Sequence, residues 1–330
     1  MPDRILVTIP MQERHREALA SAAPGADIRY VKSGEETAEE IRGADIILGN
    51  VRAEPLAGSA RLKWLQLNSA GADRYIEPGA LPEGCLLTNA TGAYGLAISE
   101  HMLAMLLELM KKLHVYKDNQ RQHLWKDEGG VTSIYGAKTL VVGLGDIGSE
   151  FARRLHALGA TVTGIRRHEA EKPPFVEAVY QLDRLDTLLP DMDIVALCLP
   201  GTGETLHLFD KKRLDSMKPG SILLNVGRGS AVCTDALCQA LYSGRLGGAG
   251  LDVTEPEPLP SDHPLWDAPN LVLTPHVSGF YHLPETLERI IGICIDNVRA
   301  YYAGQPLRNL VDPETGYRRF TGQNTEGVQQ

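Results

Sequence analysis

The chain has 330 residues, of which 43 % are hydrophobic and 23 % are charged, and its formal net charge is −9. A length above about 250 residues predicts two domains, because a single hydrophobic core stops growing near that size. The acidic balance without a basic block argues against a nucleic-acid partner, and no apolar run reaches the roughly 18 residues of a membrane helix. We therefore expect a cytoplasmic globular protein without nucleic-acid or membrane partners.

The first ninety residues alternate between strand and helix patterns, a rhythm that predicts a parallel sheet built from βαβ units. This segment contains no phosphate-binding glycine motif. The predicted strands are Arg4–Ile9, Asp27–Val31, Asp45–Leu48, Trp64–Leu67 and Leu86–Thr88, and the predicted helices are Glu13–Ala22 and Thr37–Arg42.

A long apolar helix is predicted from Ser99 to about Leu113, and a second helical stretch follows it. A new strand–helix series then runs over residues 137–274, which predicts a second parallel sheet. The last long helix is predicted over Pro284–Tyr302, and the polar tail after Val311 is expected to be loosely ordered. Because chain termini often lie close together, the last helix would pack on the first unit and make that domain discontinuous.

The cysteines of this chain show no C-x-x-C spacing, and several have apolar neighbours in the sequence. We therefore expect reduced thiols, with neither disulfides nor a metal site. The five residues are Cys85, Cys198, Cys233, Cys238 and Cys294.

The segment T-L-V-V-G-L-G-D-I-G-S-E holds Gly143, Gly145 and Gly148 in a G-x-G-x-x-G pattern. The pattern alone is weak, but here an apolar strand leads into it and an amphipathic helix leaves it. The first glycine would allow the tight turn, the second a close approach of pyrophosphate, and the third close helix–strand packing. The amides of Asp146 and Ile147 would open a helix whose positive end favours phosphate, so the segment predicts a dinucleotide site.

Two arginines follow the second strand of this series, in G-A-T-V-T-G-I-R-R-H. An acid that binds the ribose 2′-hydroxyl of NAD is expected about 20 residues after the glycines, and that count falls on Arg166. A guanidinium cannot accept that hydrogen bond, whereas it pairs with a 2′-phosphate, and Arg167 adds a second charge. The pair therefore favours NADP over NAD as the cofactor.

Polar residues follow three further strand-like runs. Arg228 follows S-I-L-L-N-V, Asp252 and Glu257 follow G-A-G-L, and His276 follows L-V-L-T-P. Ligands of an open α/β sheet bind at the carboxyl ends of its strands, so these side chains are expected at the cofactor edge. The set suits reduction of a 2-keto acid, with the arginine on the carboxylate and keto oxygen and the histidine as proton donor.

Glu257 is expected to hydrogen-bond the second imidazole nitrogen of His276. That contact would fix the tautomer and favour the protonated ring. Arg228, Glu257 and His276 are thus the predicted catalytic residues.

Several of these segments resemble one known family when they are taken in order. L-N-S-A-G-A-D, N-A-T-G-A-Y-G-L-A-I-S-E-H, G-L-G-D-I-G, N-V-G-R-G-S, L-D-V-T-E-P-E-P-L-P and T-P-H-V-S-G resemble segments of the D-isomer-specific 2-hydroxyacid dehydrogenases. This family includes glyoxylate/hydroxypyruvate reductases, and the resemblance extends over nearly the whole chain.

The resemblance implies an α/β fold with two Rossmann-like doubly wound domains. A nucleotide-binding domain of residues 100–282 would be inserted into a discontinuous, flavodoxin-like substrate domain of residues 1–99 and 283–330. It further implies a homodimer formed through the nucleotide-binding domains.

The resemblance also assigns binding residues. It implies that Ser69, Ala70 and Gly71 bind the substrate carboxylate, together with Arg228 and His276. The implied cofactor contacts, beyond the glycine turn and the two arginines, are Leu199, Pro200, Thr205, Val226, Gly227, Arg228, Asp252, His276 and Gly279.

The implied activity is NAD(P)-dependent reduction of a small 2-keto acid such as glyoxylate or hydroxypyruvate, with NADPH preferred and NAD accepted by some members. Phosphoglycerate dehydrogenase without a regulatory domain is an alternative within the family. A corepressor that senses NAD(H) and acts by binding partners is an alternative of another class. Formate dehydrogenase is disfavoured, because that relative has glutamine where Glu257 stands.

Overall fold

The computed structural model describes residues 2–168, 171–313, 316 and 319. The chain divides into two compact units, one formed by residues 1–93 with 283–330 and the other by residues 94–282. The predicted change of domain after residue 99 therefore lies six residues beyond the change of unit. Most of the polar tail, for which loose order was predicted, lies outside the described residues.

Twelve strands and ten α-helices are assigned within the described residues. The strands are β1 Arg4–Val7, β2 Asp27–Tyr30, β3 Ile46–Leu48, β4 Trp64–Gln66, β5 Leu86–Thr88, β6 Lys138–Val142, β7 Thr161–Ile165, β8 Ala178–Tyr180, β9 Ile194–Leu197, β10 Ile222–Asn225, β11 Gly248–Leu251 and β12 Leu271–Leu273. The helices are α1 Glu13–Ala22, α2 Ala38–Gly43, α3 Glu54–Ala57, α4 Gly95–Met110, α5 Leu113–Arg121, α6 Asp146–Ala157, α7 Leu185–Leu188, α8 Lys211–Ser216, α9 Thr234–Tyr242 and α10 Pro284–Tyr302.

The first unit contains a five-stranded parallel sheet in the order β2-β1-β3-β4-β5. Every residue of β3 and β4 is buried, as expected of a parallel sheet covered on both faces. The last helix, α10, packs on α1, where Arg14 Nη2 lies 2.6 Å from Glu288 Oε1. Asn297 also donates to Gln66 Oε1 of β4 at 2.7 Å, so the C-terminal helix completes this unit.

The second unit contains a seven-stranded parallel sheet in the order β8-β7-β6-β9-β10-β11-β12. The chain starts in the middle at β6, builds outward to β8, and then returns to the other side through β9. This reversal between β6 and β9 is the switch point at which doubly wound sheets bind nucleotides. The predicted α/β class with two doubly wound sheets is confirmed.

One predicted helix has a different start. The helix expected from Ser99 begins at Gly95, and Ser99 lies inside it with its hydroxyl donating to the Leu96 carbonyl at 3.0 Å. The amide of Gly95 donates to Asp146 Oδ2 at 2.9 Å. Because Asp146 is 51 positions away in the chain, no local pattern could reveal this partner.

All five cysteines are free thiols, and two of them, Cys238 and Cys294, are buried. Burial raises the pKa of the half-buried Cys85 thiol to about 11. No helix within the described part of the chain has both the length and the apolar character needed to cross a membrane. The same residues contain no cluster of histidine, cysteine and carboxylate side chains able to hold a metal ion.

Candidate dinucleotide and catalytic site

The three glycines of the predicted motif lie between the end of β6 and the first turn of α6, and each has a distinct environment. Gly143 has a φ of +101°, and a Cβ there would lie 2.6 Å from the carbonyl oxygen of Cys198. A Cβ on Gly148 would lie 2.0 Å from the carbonyl oxygen of Gly143, so only glycine allows α6 to approach β6 this closely. These two positions are required by the backbone itself.

Gly145 differs, because no described atom beyond Gly145 itself and its two chain neighbours lies within 4 Å of the position that its Cβ would take. It caps α6, whose first turn contains Asp146 and Ile147. The first amides of a helix have no partner within the helix and carry its positive dipole end. Open space in front of such amides fits the pyrophosphate of a dinucleotide, and a side chain at Gly145 would fill it.

The loop after β9 closes against the same turn. Leu199 Cδ2 would lie 3.2 Å from a Cβ on Gly143, and a Cβ on Gly227 would lie 2.3 Å from the Leu199 carbonyl oxygen. Thr205 is buried, and its hydroxyl donates to the Pro200 carbonyl at 2.8 Å and accepts from the Thr202 amide at 2.9 Å. The structure therefore brings these predicted cofactor contacts together.

The two predicted arginines follow β7. Arg166 Nη1 donates to the Glu171 carbonyl oxygen at 3.1 Å, and partial burial lowers the pKa of its guanidinium. Arg167 Nη2 lies 3.6 Å from a carboxylate oxygen of Glu204, which belongs to the loop after β9. One arginine thus contacts a carbonyl and the other a carboxylate.

Arg228 lies on a tight loop after β10, and the buried side chain of Asn225 holds this loop. The side chain of the buried Asn225 accepts from the Gly227 amide at 3.1 Å and donates to the Arg228 carbonyl at 2.9 Å. The Val226 amide donates to Leu197 of the neighbouring strand β9 at 3.2 Å. Asn225 therefore holds the backbone from which the Arg228 side chain projects.

His276 and Glu257 form the contact that was predicted for them. Nδ1 of His276 lies 2.6 Å from Oε1 of Glu257, and both side chains are partly exposed. His276 has a φ of +53°, and its amide donates to the Asp252 carbonyl at 2.7 Å. The imidazole is thus oriented through Nδ1, and Nε2 makes no hydrogen bond with the residues that the structure describes.

The carboxylate of Asp252 organises the loop that carries His276. It is 1 % exposed; Oδ1 accepts from the Thr274 hydroxyl at 2.6 Å and the Val277 amide at 2.9 Å. Oδ2 accepts from the Ser278 amide at 3.1 Å and the Ser278 hydroxyl at 2.5 Å. Four bonds to one carboxylate hold the backbone on both sides of His276, so Asp252 positions the histidine.

Three side chains of this network, His101, Thr274 and Ser278, were not predicted from the sequence. His101 of α4 lies with Nε2 3.0 Å from Thr274 Oγ1, and Ser278 donates twice to Asp252. Gly279 follows them, and a Cβ there would lie 3.5 Å from the ring of Tyr94. No local signal distinguishes these residues, because their partners lie far away in the sequence.

The three predicted substrate residues lie in the first unit, on the loop after β4. The Ser69 hydroxyl donates to the Gly71 carbonyl at 2.7 Å, and Asn89 donates to the Ala70 carbonyl at 2.7 Å. Within the described chain, the amides of Ala70 and Gly71 donate to no acceptor. Two adjacent unpaired amides on a half-buried loop are suited to bind a carboxylate.

The second unit thus combines, at the carboxyl ends of its parallel strands, a dinucleotide turn with an imidazole held by a carboxylate. This combination is typical of a dinucleotide-dependent oxidoreductase. The model of the D-isomer specific 2-hydroxyacid dehydrogenase NAD binding domain matches residues 103–278. The chain belongs to this family, and it is an NAD(P)-dependent oxidoreductase.

Two curated relatives illustrate the range of the family. Glyoxylate/hydroxypyruvate reductase B of Pectobacterium carotovorum is 34 % identical over 287 residues, which cover 84 % of this chain and 87 % of that protein. D-3-phosphoglycerate dehydrogenase of Mycobacterium bovis is 33 % identical over 298 residues, or 90 % of this chain. The match spans only 53 % of that longer protein.

Two solved structures share the fold over their whole length. A D-isomer specific 2-hydroxyacid dehydrogenase family protein from Aeromonas salmonicida has a TM-score of 0.84 and 34 % identity, covering 95 % of this chain and 100 % of its own. A D-isomer specific 2-hydroxyacid dehydrogenase from Xanthobacter autotrophicus, in complex with NADPH and MES, has a TM-score of 0.79 and 28 % identity. It covers 96 % of this chain and 100 % of its own.

Proposed function

We propose that this protein reduces a small 2-keto acid, of the size of glyoxylate or hydroxypyruvate, with NADPH and with His276 as the general acid. The contact of 2.6 Å between His276 Nδ1 and Glu257 Oε1 carries the proposal. When bound, the nicotinamide supplies the hydride for the carbonyl carbon. The protein must then supply a proton for the carbonyl oxygen.

The proton would come from Nε2 of His276. Glu257 accepts a hydrogen bond from Nδ1–H, so the protonated ring directs its other N–H group, at Nε2, away from this carboxylate. Transfer of that proton leaves the neutral tautomer with its hydrogen on Nδ1, which Glu257 continues to bind. In the oxidative direction the same nitrogen accepts the proton of the 2-hydroxyl group.

The substrate carboxylate would be bound by cationic and backbone donors. Arg228 would hold the carboxylate and polarise the keto oxygen. A planar guanidinium can donate two parallel hydrogen bonds to such a pair of oxygens. In the first unit, the unpaired amides of Ala70 and Gly71, with the Ser69 hydroxyl beside them, are the proposed donors to the substrate carboxylate. We therefore propose the first unit as the substrate domain and the second as the dinucleotide-binding domain.

The preference for NADPH rests on Arg166 and Arg167. Two guanidinium groups after the end of β7 complement a 2′-phosphate, and they cannot accept a hydrogen bond from a 2′-hydroxyl. The relative from Xanthobacter autotrophicus, whose structure contains NADPH, supports the same choice. NAD stays a second cofactor in this proposal. The remaining proposed contacts are Gly143, Gly145, Asp146, Ile147, Gly148, Leu199, Pro200, Thr205, Val226, Gly227, Asp252, His276 and Gly279.

We also propose a homodimer formed through the dinucleotide-binding unit. Large apolar side chains are exposed on and after α5, among them Trp125 at 106 % and Tyr135 at 81 % relative exposure. Such a concentration on one segment is typical of a surface covered by a partner. Light scattering after gel filtration tests this proposal. Trp125→Glu should shift the equilibrium from dimer towards monomer, and a monomeric wild-type protein would contradict the proposal. The cytoplasmic location and the absence of nucleic-acid and membrane partners stay predictions.

Phosphoglycerate dehydrogenase is the second candidate, favoured by 33 % identity to the mycobacterial enzyme. That enzyme is about twice as long as the matched region, so the identity alone does not assign its activity to this chain. Oxidation of 3-phosphoglycerate with NAD as the better cofactor would favour this alternative.

The test is a spectrophotometric assay of glyoxylate, hydroxypyruvate, a longer 2-keto acid and 3-phosphoglycerate, each with both cofactors. The proposal expects the highest kcat/KM for a small 2-keto acid with NADPH. Arg166→Asp should move the preference towards NADH, and His276→Ala should abolish turnover while NADPH binding persists. Preference of the wild type for NADH, or full activity of His276→Ala, would contradict it. Absence of any turnover, with cofactor-dependent capture of a protein partner, would favour a corepressor.

A further inference from the structure

The loop that follows β9 places one acidic side chain opposite the proposed 2′-phosphate site. Residues 199–207 contain a single carboxylate, Glu204, and its Oε2 lies 3.6 Å from Arg167 Nη2. The side chains are 66 % and 38 % exposed, respectively, so a ligand can reach both. The contact joins the loop after β7 to the loop after β9, two strands that flank β6 in the sheet.

The position of Glu204 is fixed by its neighbour. Thr205 is 4 % exposed and its hydroxyl bonds to both Pro200 and Thr202. The amides of Thr205 and Leu206 donate back to the Thr202 carbonyl at 3.0 and 3.1 Å, which closes a turn with Glu204 at its outer side. The backbone that carries Glu204 is therefore held by hydrogen bonds that do not involve the ion pair.

The other arginine of the pair has no carboxylate of this kind. Arg166 donates to the Glu171 carbonyl and forms no ion pair with the residues that the structure describes. A dianionic phosphate placed between the two guanidinium groups would thus find one of them available and the other paired with Glu204. Binding of the phosphate requires that Arg167 exchange one anion for another.

We propose that Glu204 is a specificity-determining residue that competes with the cofactor's 2′-phosphate for Arg167. This inference rests on the NADPH site of the proposed function. Glu204 weakens NADPH binding by occupying Arg167 and by repelling the phosphate, whereas a cofactor without the phosphate leaves the pair intact. Glu204 therefore reduces the preference for NADPH over NADH that the two arginines create.

The experiment titrates the full-length protein with adenosine 2′,5′-diphosphate and with 5′-AMP by calorimetry. Glu204→Gln should bind the diphosphate about three- to tenfold more tightly, since a partly exposed pair contributes up to about fivefold and repulsion adds to it. Binding of 5′-AMP should not change, and the gain should shrink in 0.5 M NaCl because salt screens exposed charges.

Asp215→Asn is the matched control. Asp215 forms an exposed ion pair of 2.7 Å with Lys211 on α8, so the variant makes the same change of net charge outside the proposed 2′-phosphate site. It should bind both probes as the wild type does. In an Arg167→Ala background, Glu204→Gln should lose most of its advantage, because Glu204 then has no guanidinium to occupy and only its repulsion of the phosphate remains.

The outcomes separate the two proposals. Equal binding of the two probes by the wild type would overturn the NADPH preference and, with it, the role of Glu204. A wild type that prefers the diphosphate, combined with unchanged or weaker diphosphate binding by Glu204→Gln, would overturn the role of Glu204 alone. A gain of undiminished size without Arg167, or one that Asp215→Asn reproduces, would also overturn it.

Discussion

Replacement of Asp252 by asparagine tests whether this carboxylate positions the catalytic histidine. In the wild type each carboxylate oxygen accepts one backbone amide and one hydroxyl from the segment 274–278. Asparagine has a single acceptor oxygen, and its NH2 group would face either the amide of Val277 or that of Ser278. A hydroxyl can rotate to accept a bond, but a backbone N–H cannot.

The cost follows from these contacts. One buried amide left without an acceptor costs about 1–3 kcal/mol. Loss of the charge from the remaining bonds adds about 1 kcal/mol, because bonds to charged groups are stronger than neutral ones. The sum of about 2–4 kcal/mol would displace the loop of His276 and lower kcat by about 30-fold or more, since 1.4 kcal/mol corresponds to tenfold. The melting temperature should fall by about 4–12 °C.

The assay measures kcat, KM and the Kd for NADPH of Asp252→Asn beside those of Thr274→Val. The control variant removes one hydroxyl donor and strands no backbone amide, so we expect a loss of about 1 kcal/mol and a much smaller decrease in kcat. A fall in kcat with a largely retained Kd supports positioning of His276. Wild-type kcat and melting temperature in Asp252→Asn, or a loss confined to NADPH binding, would refute the reasoning.

Two further predictions concern the glycine turn and a thiol. Gly148→Ala should destabilise the protein by about 3 kcal/mol, because its Cβ would lie 2.0 Å from a backbone oxygen. Gly145→Ala should keep the wild-type melting temperature and lose cofactor affinity. Equal melting temperatures of the two variants would contradict this prediction. Cys85, whose pKa is raised to about 11, should react with iodoacetamide at pH 8 about 100-fold more slowly than a free cysteine and faster as the pH rises towards 11. Mass spectrometry of the labelled peptide measures the rate, and a rate independent of pH would exclude thiolate control.

Much of the fold could be predicted because its signals are local. The bounds of α1 and α10 agree with their predicted ranges, since both helices have a continuous amphipathic pattern. Most strands were predicted at the right place, with their ends one or two residues too long. The start of α4 was wrong, because Gly95 is held by Asp146 from another helix and no capping signal marks it.

The same distinction separates the parts of the candidate site. The His276–Glu257 contact followed from a general property of parallel sheets, since residues just after their strands meet at one edge. The roles of Asn225, Thr274 and Ser278 did not follow, because a buried polar side chain has no recognisable partner until the loops close around it.

The sequence by itself determined the strand–helix alternation, the dinucleotide turn and the side chains at the strand ends, because periodicity and glycine spacing are properties of neighbouring residues. Only the tertiary structure decided which donors surround Asp252, that Gly143 and Gly227 must approach the loop after β9, and that Glu204 lies beside Arg167. These contacts join segments far apart in the chain. They exist because a hydrogen bond or an ion pair depends on distances of a few ångströms between atoms, which the order of residues along the chain does not specify.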